Sequence, residues 1–447
     1  MKPRSKKMVR AIRVRHGSIP HLVHIEMSYA CNSRCIFCYN PERNRHFDPS
    51  VVDSIVERVA EDQIPHVYLI GGEPSLVPVE RINRYVNLLS PTSSVTIVTN
   101  GLIVMRGVSP KIACFGVPLH GDNPQTHEMH TGIPGGFHRT LETIRSYVEA
   151  GHDVRCIPVL TGYNFDQIYG IIKIAVSLGM ESIYVDRYED GGLGAKNASH
   201  PKLKPSLEEF RVAVGQMLQA RRDFPELGGR VGFGTAIPYC LDERLIREGL
   251  TSNCGVGVSF GAINPRGEFR ICNQSQLIFG NVLEETLAEI WNSRSLDVYR
   301  DLAWVTEPCR DCPLLLECTC GCKVDVNCSN QFCVDYAVRG MRKPPIRLPR
   351  RRTSAKLAER YPTVYRRLRP NRYMKLLTKY PNKYLVTRYQ TVKLDPTALR
   401  VAQCILGQSE FNEVDLVRQF ADEIEAVEIR LFVSRLLQVH ALDEVVR

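Results

Sequence analysis

Between residues 22 and 190 the sequence alternates short apolar runs with longer segments whose apolar residues recur at helical spacing. The first helical segment begins at Asp48, a good N-cap, with Pro49 at the first helical position. Strands that alternate with helices predict a parallel sheet, and six strands suit a partial barrel. In such folds the chemistry lies on loops that follow the carboxyl ends of the strands. The apolar runs predict strands at 22–28, 66–72, 94–100, 112–120, 153–160 and 182–188.

The remainder of the chain divides by composition. A helical pattern at 206–224 precedes a cysteine-dense region that extends to about residue 340. Next comes a basic stretch with weak periodicity, and the tail then predicts a strand-like segment followed by three helices, a compact winged-helix-like module. We therefore expect four parts: a barrel at 17–235, a cysteine-rich domain at 236–340, a basic linker at 341–384 and a small module at 385–447.

The cellular compartment is predicted from two features that the sequence does not show, a membrane helix and a secretory signal. No apolar run reaches the roughly 18 residues of a membrane helix, and the basic first residues precede no apolar core of a secretory signal. We therefore expect a cytoplasmic protein. Its 16 cysteines would then lie in a reducing compartment, where metal binding or catalysis is a more common use than disulfides.

Charge is distributed unevenly. The net charge of +10 combines seven Lys and Arg in residues 1–16 with fifteen in residues 341–384, where Glu359 is the one acid. The rest of the chain is therefore acidic. The basic segment at 341–384 suits an acidic peptide, a nucleic acid or an anionic membrane surface, although most basic runs are solvated or pack on an acidic body. We do not expect nucleic acid to be the partner.

Three cysteines, Cys31, Cys35 and Cys38, lie directly after the first predicted strand. A structural metal site is closed by four protein ligands, whereas a catalytic site keeps one position open. A zinc knuckle that lacks one ligand is the alternative. Two further motifs end the next two strands: Gly-Gly-Glu-Pro at 71–74, and Thr-Asn-Gly at 99–101.

The spacing Cys-x3-Cys-x2-Cys, with Phe37 before the last cysteine and the two motifs in this order, resembles the signature of radical S-adenosylmethionine (SAM) enzymes. The resemblance implies a partial (β/α)6 TIM barrel and a 4Fe-4S cluster held by Cys31, Cys35 and Cys38. SAM would bind the fourth iron and be cleaved reductively to a 5′-deoxyadenosyl radical, which abstracts hydrogen from the substrate. We expect SAM to contact Phe37, Gly71, Gly72, Glu73, Pro74, Asn100 and Arg187.

The loop after the fourth strand differs from the family pattern. Relatives commonly carry a serine-leucine-aspartate run there, and His120 stands at the aspartate's place. His120, His127 and His130 could bind a metal, but loop histidines at these spacings are more often solvated or face the substrate.

The later cysteines show a second pattern. Cys254 and Cys272 flank an expected hairpin with a turn at Gly267, and a Cys-x2-Cys-x5-Cys-x3-Cys quartet follows. This resembles the SPASM extension of radical SAM enzymes, which holds up to two auxiliary 4Fe-4S clusters. The resemblance implies Cys254, Cys272 and Cys322 for the first, with Cys240 as the candidate fourth ligand, and Cys309, Cys312, Cys318 and Cys333 for the second.

Two alternatives stay open for this region. Cys320 and Cys328 are unassigned, so a ligand swap is possible. Zinc also binds Cys-x2-Cys pairs; three cubanes would instead require about twelve iron atoms per chain, with all-thiolate ligation.

The function implied by the resemblance is oxidative modification or cross-linking of a peptide, because many SPASM relatives act on peptides. The alternative is an oxidoreductase or epimerase that acts on a small molecule such as a sugar, a tetrapyrrole or a cofactor precursor. A flavodoxin- or ferredoxin-type protein would supply electrons. The tail resembles loosely the leader-peptide recognition modules of ribosomal-peptide maturases, and a structural cap is the competing interpretation.

Overall fold

The computed structural model describes residues 16–189, 200–227, 229–324, 334–338 and 366–445. Within these residues the chain forms one large sheet, flanked by helices, and a smaller carboxyl-terminal module. No described helix is long and apolar enough to span a bilayer.

The large sheet contains eleven strands in the hydrogen-bonded order β11-β10-β9-β1-β2-β3-β4-β5-β7-β6, with β8 paired to β7. Strands β1 to β9 pair in parallel, and β10 and β11 are antiparallel. The strands are β1 Leu22–Glu26, β2 His66–Ile70, β3 Ser94–Val98, β4 Cys114–Val117, β5 Val154–Cys156, β6 Val159–Leu160, β7 Ser182–Arg187, β8 Val231–Phe233, β9 Phe260–Ile263, β10 Glu268–Arg270 and β11 Ile278–Asn281.

Ten helices accompany this sheet in the described residues. They are α1 Pro49–Glu61, α2 Val79–Leu89, α3 Pro124–Thr131, α4 Gly136–Glu149, α5 Ile168–Ser177, α6 Leu207–Asp223, α7 Arg244–Arg247, α8 Leu287–Asn292, α9 Asp297–Arg300 and α10 Leu315–Cys318.

The predicted alternation of strands and helices is confirmed, together with the parallel sheet. Helix α1 begins as predicted, with the Asp48 carboxylate accepting a hydrogen bond of 2.9 Å from the Ser50 N–H. The predicted strand at 153–160 is instead two short strands, β5 and β6. Across the described residues the sheet is open, with β11 and β8 as its outer strands, so the partial barrel stays a prediction.

Helix α3 was not predicted, because its sequence was interpreted as part of a loop. Its signals are present nevertheless: the Asn123 side chain caps the helix on the Thr126 N–H, Pro124 occupies the first turn, and Gly132 ends it with φ of +67°. A capping asparagine, an early proline and a terminal glycine together are typical of helix boundaries.

The hairpin expected around Gly267 is confirmed. Gly267 has φ of +83°, and β9 and β10 pair in antiparallel register on either side of it. Because β9 also pairs in parallel with β1, the cysteine-rich region extends the same sheet that carries the first cysteine loop.

The carboxyl-terminal module has its own apolar core. Its six strands form two three-stranded antiparallel sheets, β16-β12-β17 and β13-β14-β15. The strands are β12 Arg367–Pro370, β13 Lys375–Leu377, β14 Lys383–Val386, β15 Thr391–Leu394, β16 Phe411–Asn412 and β17 Leu442–Glu444, and the helices are α11 Pro396–Leu406, α12 Glu413–Gln419 and α13 Ala426–Gln438.

The three predicted tail helices are confirmed, but the module begins earlier than residue 385. Residues 341–365 of the predicted linker lie outside the described residues, and the described part is not irregular. Strand β12 pairs with both β16 and β17, so it belongs to the module. The winged-helix description stays a prediction.

The module contacts the amino-terminal edge of the large sheet. The Tyr373 hydroxyl donates to the Ile112 carbonyl, just before β4, at 3.1 Å, and the hydroxyl of Ser94, which begins β3, donates to the Arg388 carbonyl at 2.8 Å. The loops that carry the predicted site lie at the opposite edge, where the parallel strands end.

Candidate functional site

The first cysteine loop is anchored by the backbone of the strand beside it. The Gly72 N–H donates to the Ser28 carbonyl at 2.6 Å, and the Glu73 N–H donates to the Ala30 carbonyl at 2.8 Å. These bonds hold the residues before Cys31 against the end of β2. The sheet therefore places the first predicted motif beside the second.

The glycines of this motif serve the close approach of two chain segments. A Cβ at Gly72 would lie 1.9 Å from the Ala30 carbonyl oxygen, and Gly71 has φ of +142°. A side chain at Gly72 would therefore force the cysteine loop away from β2, and Gly71 adopts a conformation that favours glycine. The atoms closest to these two positions belong to the backbone of this chain. Both glycines are therefore required even when no ligand is bound.

Cys31, Cys35 and Cys38 lie close enough that each thiol interacts electrostatically with the other two. Burial raises the pKa of Cys31 to about 11 and that of Cys35 to about 12, and repulsion from the neighbouring thiols adds to both shifts. Iron–sulfur clusters are bound by thiolates, so this buried trio requires nearby positive charge to ionise. Its chemistry fits a three-cysteine cluster site.

Ser33 supports two of these sulfurs. Its N–H donates to Cys31 Sγ at 3.4 Å, and its hydroxyl lies 3.1 Å from Cys35 Sγ and donates to the Thr131 carbonyl at 3.1 Å. Ser33 is buried, and its hydrogen bonds connect the loop backbone to the sulfurs of Cys31 and Cys35 and to the end of α3. Hydrogen bonds to cysteine sulfurs are among the features that tune cluster potential.

Glu73 joins the ends of β2 and β3. Its buried carboxylate accepts hydrogen bonds from the Ser75 N–H at 2.8 Å, the Thr99 hydroxyl at 2.5 Å and the Asn100 N–H at 2.7 Å. Burial raises its pKa, while these donors lower it. Glu73 also interacts electrostatically with Cys31, which places the carboxylate near the cysteine loop.

Asn100 reaches the same loop. Its side-chain amide donates to the Asn32 side-chain oxygen at 2.7 Å, and its Nδ2 lies 4.0 Å from Cys31 Sγ. Pro74 is buried as the first residue of the turn that Glu73 caps. The three motifs therefore converge at the carboxyl ends of β1, β2 and β3.

Phe37 packs against the histidines of the next loop. Its ring centroid lies 4.6 Å from that of His120 and 6.0 Å from that of His130. His120, His127 and His130 are all buried, so they are not solvated. Burial lowers the pKa of each imidazole, to about 4 for His127, and so favours the neutral form of the rings.

Hydrogen bonds orient these rings. Nδ1 of His120 accepts from the Val159 N–H at 3.2 Å, and Nδ1 of His127 accepts from the His120 N–H at 3.2 Å. A neutral ring whose Nδ1 accepts carries its proton on Nε2. The cluster thus links the cysteine loop to the ends of β4 and β6. Its internal packing was not predicted from sequence.

Arg187, at the end of β7, is committed to other partners. Its buried guanidinium donates to Glu189 at 2.6 Å and to Asp335 at 2.5 Å. The Asp335 carboxylate also accepts from the Cys322 N–H at 3.2 Å. Arg187 therefore connects β7 to the cysteine-rich region, and its contact with SAM stays a prediction.

The structure groups the first auxiliary set as predicted from the resemblance. Cys322 interacts electrostatically with Cys254 and Cys272. Burial raises the pKa of Cys272 to about 12, and that of Cys322 well above its usual value. The ligand assignment itself stays a prediction.

Cys240 lies elsewhere than expected. Its electrostatic interactions are with Cys318, Cys309 and Cys312, and burial raises its pKa to about 12. The turn that carries it packs on the segment of these three cysteines, since the hydroxyl of the preceding Tyr239 donates to the Glu317 carbonyl at 3.4 Å. Sequence position could not reveal this grouping, because Cys240 precedes both sets along the chain.

Three other cysteines are close in sequence to the second set. Cys320 is buried beside Cys309, and a hydrogen bond between these thiols lowers the pKa of Cys309. Cys333, the predicted fourth ligand, and the unassigned Cys328 lie outside the described residues. Among the residues that the structure does describe, no three His, Cys, Asp or Glu side chains converge closely enough to hold a single metal ion.

Comparison with known families matches two parts of the chain. The Radical SAM superfamily model matches residues 25–175, and the SPASM model, an iron–sulfur cluster-binding domain, matches residues 254–313. A PqqA peptide cyclase of Xanthomonas axonopodis pv. citri is 25% identical over 309 residues, 66% of this chain and 80% of that protein. A PqqA peptide cyclase of Streptomyces rochei is 26% identical over 310 residues, 65% of this chain and 80% of that protein.

Solved structures share the fold at lower identity. SuiB of Streptococcus suis bound to the precursor peptide SuiA is 18% identical, with a TM-score of 0.59, and the match covers 72% of this chain and 76% of SuiB. Native anSMEcpe with bound AdoMet and the Cp18Cys peptide is 17% identical, with a TM-score of 0.55, and the match covers 71% and 93% of the two chains.

These matches agree with the geometry of the site. The superfamily match spans the cysteine loop, the Gly-Gly-Glu-Pro turn and Asn100, and the SPASM match spans the hairpin and the start of the later quartet. The cofactors of such a chain are 4Fe-4S clusters and SAM. The chain therefore contains a domain at residues 25–175 that matches the Radical SAM superfamily and a domain at residues 254–313 that matches the SPASM iron–sulfur cluster-binding family.

Proposed function

We propose that this protein is a radical SAM maturase that oxidatively modifies or cross-links a peptide. The observation that carries the proposal is the convergence of the Cys31–Cys35–Cys38 loop with Glu73 and Asn100 at the carboxyl ends of three adjacent parallel strands. When bound, the cluster and SAM supply an electron and a 5′-deoxyadenosyl radical that removes hydrogen from the substrate.

The residues of the chain have distinct roles in this proposal. The three cysteines hold the cluster, and Glu73 fixes the ends of β2 and β3 so that Asn100 stays beside Cys31. Phe37 and His120 form a packed wall next to the loop. This wall excludes water from one side of the site, which protects a radical from side reactions.

For the auxiliary clusters we propose a change from the family pattern. Cys254, Cys272 and Cys322 bind the first cluster. Cys240 joins Cys309, Cys312 and Cys318 at the second, where it supplies the fourth thiolate. Four cysteines are the usual complement of a closed cubane.

A peptide is favoured over a small molecule as the substrate. Two of the similar proteins are named PqqA peptide cyclase, and SuiB is seen with the precursor peptide SuiA. A net oxidation of a peptide also requires an acceptor for the second electron, and an auxiliary cluster provides one. The flavodoxin- or ferredoxin-type reductant and the cytoplasmic location stay predictions from the sequence.

We assign leader-peptide recognition to the carboxyl-terminal module. It contacts the amino-terminal edge of the large sheet, whereas the cysteine loop lies at the opposite edge. The two edges are separated by five-residue strands such as β1, about 17 Å at roughly 3.3 Å per residue. A peptide held by the module therefore needs a spacer of at least about five extended residues before the modified segment.

The test is turnover of the full-length, anaerobically reconstituted protein with SAM, dithionite and peptides encoded beside its gene, deuterated at candidate positions. We expect deuterium in 5′-deoxyadenosine and a peptide product that has lost two hydrogens. The Cys31→Ala variant is the control and should give neither. If SAM is cleaved but deuterium arrives only from a small molecule, the alternative function replaces this one.

A further inference from the structure

One buried charge in the cysteine-rich region, Lys323, lies apart from the SAM-cluster loop. Lys323 is 0% exposed, and its Nζ has no hydrogen-bond partner among the described residues. A charged group that is buried without a partner is strongly unfavourable. The position therefore indicates that an anion belongs beside it.

The surroundings of Lys323 identify where that anion lies. Lys323 interacts electrostatically with the thiol of Cys320, whose other electrostatic partners are Cys309 and Cys318. Lys323 thus faces the second cysteine set, although it directly follows Cys322 of the first.

Asp335, a carboxylate that interacts electrostatically with Cys309 and Cys322, is already engaged. Asp335 forms an ion pair with Arg187 at 2.5 Å and accepts from the N–H groups of Cys322 and Ala337. Arg187 is paired in addition with Glu189. This arrangement leaves the ammonium of Lys323 without a carboxylate partner among the described residues.

We infer that the Lys323 ammonium is the counter-ion of the second auxiliary cluster and raises its reduction potential. The inference rests on the proposed function, since it requires a 4Fe-4S cluster bound by Cys309, Cys312, Cys318 and Cys240. Four thiolates give such a cluster a net negative charge, and one-electron reduction adds another negative charge. A nearby cation stabilises the reduced state more than the oxidised state.

The consequence is directional electron flow. A higher potential makes the second auxiliary cluster the better acceptor for the electron that a net oxidation of the substrate releases. That electron would then pass to an external flavodoxin- or ferredoxin-type protein, and Lys323 itself neither gains nor loses a proton.

The experiment is a redox titration of the reconstituted full-length protein, followed by low-temperature EPR, for the wild type and for Lys323→Met, Lys323→Gln and Lys323→Arg. We expect both neutral variants to lower the reduction equilibrium constant of the second cluster at least tenfold, about 59 mV for one electron. Lys323→Arg should stay near the wild type. Lys173→Met, which changes an exposed lysine of α5, is the matched control and should also stay near the wild type.

The remaining outcomes are decisive as well. If the neutral variants fail to load the second cluster while Lys323→Arg loads it, the positive charge is required and the inference stands. Unchanged potentials in the neutral variants would overturn it, as would a Lys323→Arg variant that also fails to load. A wild-type protein with no second auxiliary cluster would instead refute the ligand assignment in the proposed function.

Discussion

The two cysteine regions of this protein present thiols in different ways. Cys31, Cys35 and Cys38 occupy one short loop, and Ser33 within that loop hydrogen-bonds to two of its sulfurs. The later cysteines come from segments far apart in sequence, such as the turn at Cys240 and the quartet that begins at Cys309. The first region is encoded locally, whereas the second exists only once the surrounding chain has folded.

This difference explains why the two regions depend on different neighbours. The first loop requires Gly72, because a Cβ there would strike the Ala30 carbonyl. The second region requires a buried ion pair, because the Asp335 carboxylate pairs with Arg187 and also accepts a hydrogen bond from the Cys322 N–H. Substitutions in both regions therefore test whether each site depends on residues nearby in sequence or on residues that folding brings together.

The largest effect is expected from Cys35→Ala. Removal of one thiolate of a three-cysteine site leaves the cluster too few ligands, so SAM cleavage should fall to the level of the protein-free reaction. Iron content should fall by about four atoms per chain. Both are measured by 5′-deoxyadenosine formation and iron analysis of anaerobic protein. Cys404→Ala in α11 serves as control, and cleavage that persists in Cys35→Ala would contradict the site assignment.

Cys240→Ser tests the regrouping in the later region. We expect the EPR spectrum of the second auxiliary cluster to change, because Cys240 lies with Cys309, Cys312 and Cys318. Cys254→Ser is the matched variant and should change the spectrum of the first auxiliary cluster. If Cys240→Ser alters the first cluster instead, the family-based assignment of Cys240 is correct and ours is wrong.

Asp335→Asn should destabilise the later region. The substitution leaves the buried Arg187 with a weaker partner, and breaking a buried ion pair costs about 3–5 kcal/mol. The free energy of unfolding should fall by up to this amount, and the spectrum of the first auxiliary cluster should shift because the Cys322 N–H loses a charged acceptor. Asp311→Asn, at an exposed position, provides the comparison. An unchanged spectrum would show that Cys322 is positioned independently of this ion pair.

Glu73→Gln should weaken SAM binding. The amide lacks the charge that accepts from Thr99 and Asn100, and hydrogen bonds to charged groups contribute about 1.5–3 kcal/mol. The Kd for SAM should rise about 10- to 100-fold in equilibrium dialysis of reconstituted protein. Glu80→Gln, at an exposed position of α2, should bind SAM as the wild type does. Equal affinities for Glu73→Gln and the wild type would remove Glu73 from the proposed site.

Ser33→Ala should have the smallest effect. It removes the hydroxyl that contacts Cys35 Sγ and the Thr131 carbonyl, a loss of about 1 kcal/mol in the free energy of unfolding. Denaturant unfolding measures the loss, and Ser54→Ala on the exposed face of α1 is its control. A loss as large as that of Asp335→Asn would mean that the first loop is no more self-contained than the later region.

Much of the fold was predictable because its signals are local. Apolar runs placed the strands, and Asp48 with Pro49 placed the start of α1. The same rules could have found α3 from Asn123 and Gly132. Pairing could not be predicted in this way: β9 joins β1 across more than two hundred residues, and β12 enters the module from a segment with weak periodicity.

The residues of the site fall into the same two groups, those whose positions follow from local sequence and those whose positions depend on packing between distant segments. The motifs of the first loop follow consecutive strands, so parallel pairing alone brings them together. The ion pairs of Arg187, the packing of His120 and the grouping of Cys240 involve residues whose partners lie on other segments. No spacing rule connects such residues, because their distances depend on how the segments pack.

The sequence by itself determined where the first strands and helices of the large sheet lie and which three thiols share a loop, because both depend on neighbours within a few residues. Only the tertiary structure decided that Cys240 lies with Cys309, Cys312 and Cys318, that Arg187 is paired with Asp335, and that Lys323 is buried without a carboxylate partner among the described residues. Burial and electrostatic interactions depend on distances through space, which the order of residues along a chain does not specify.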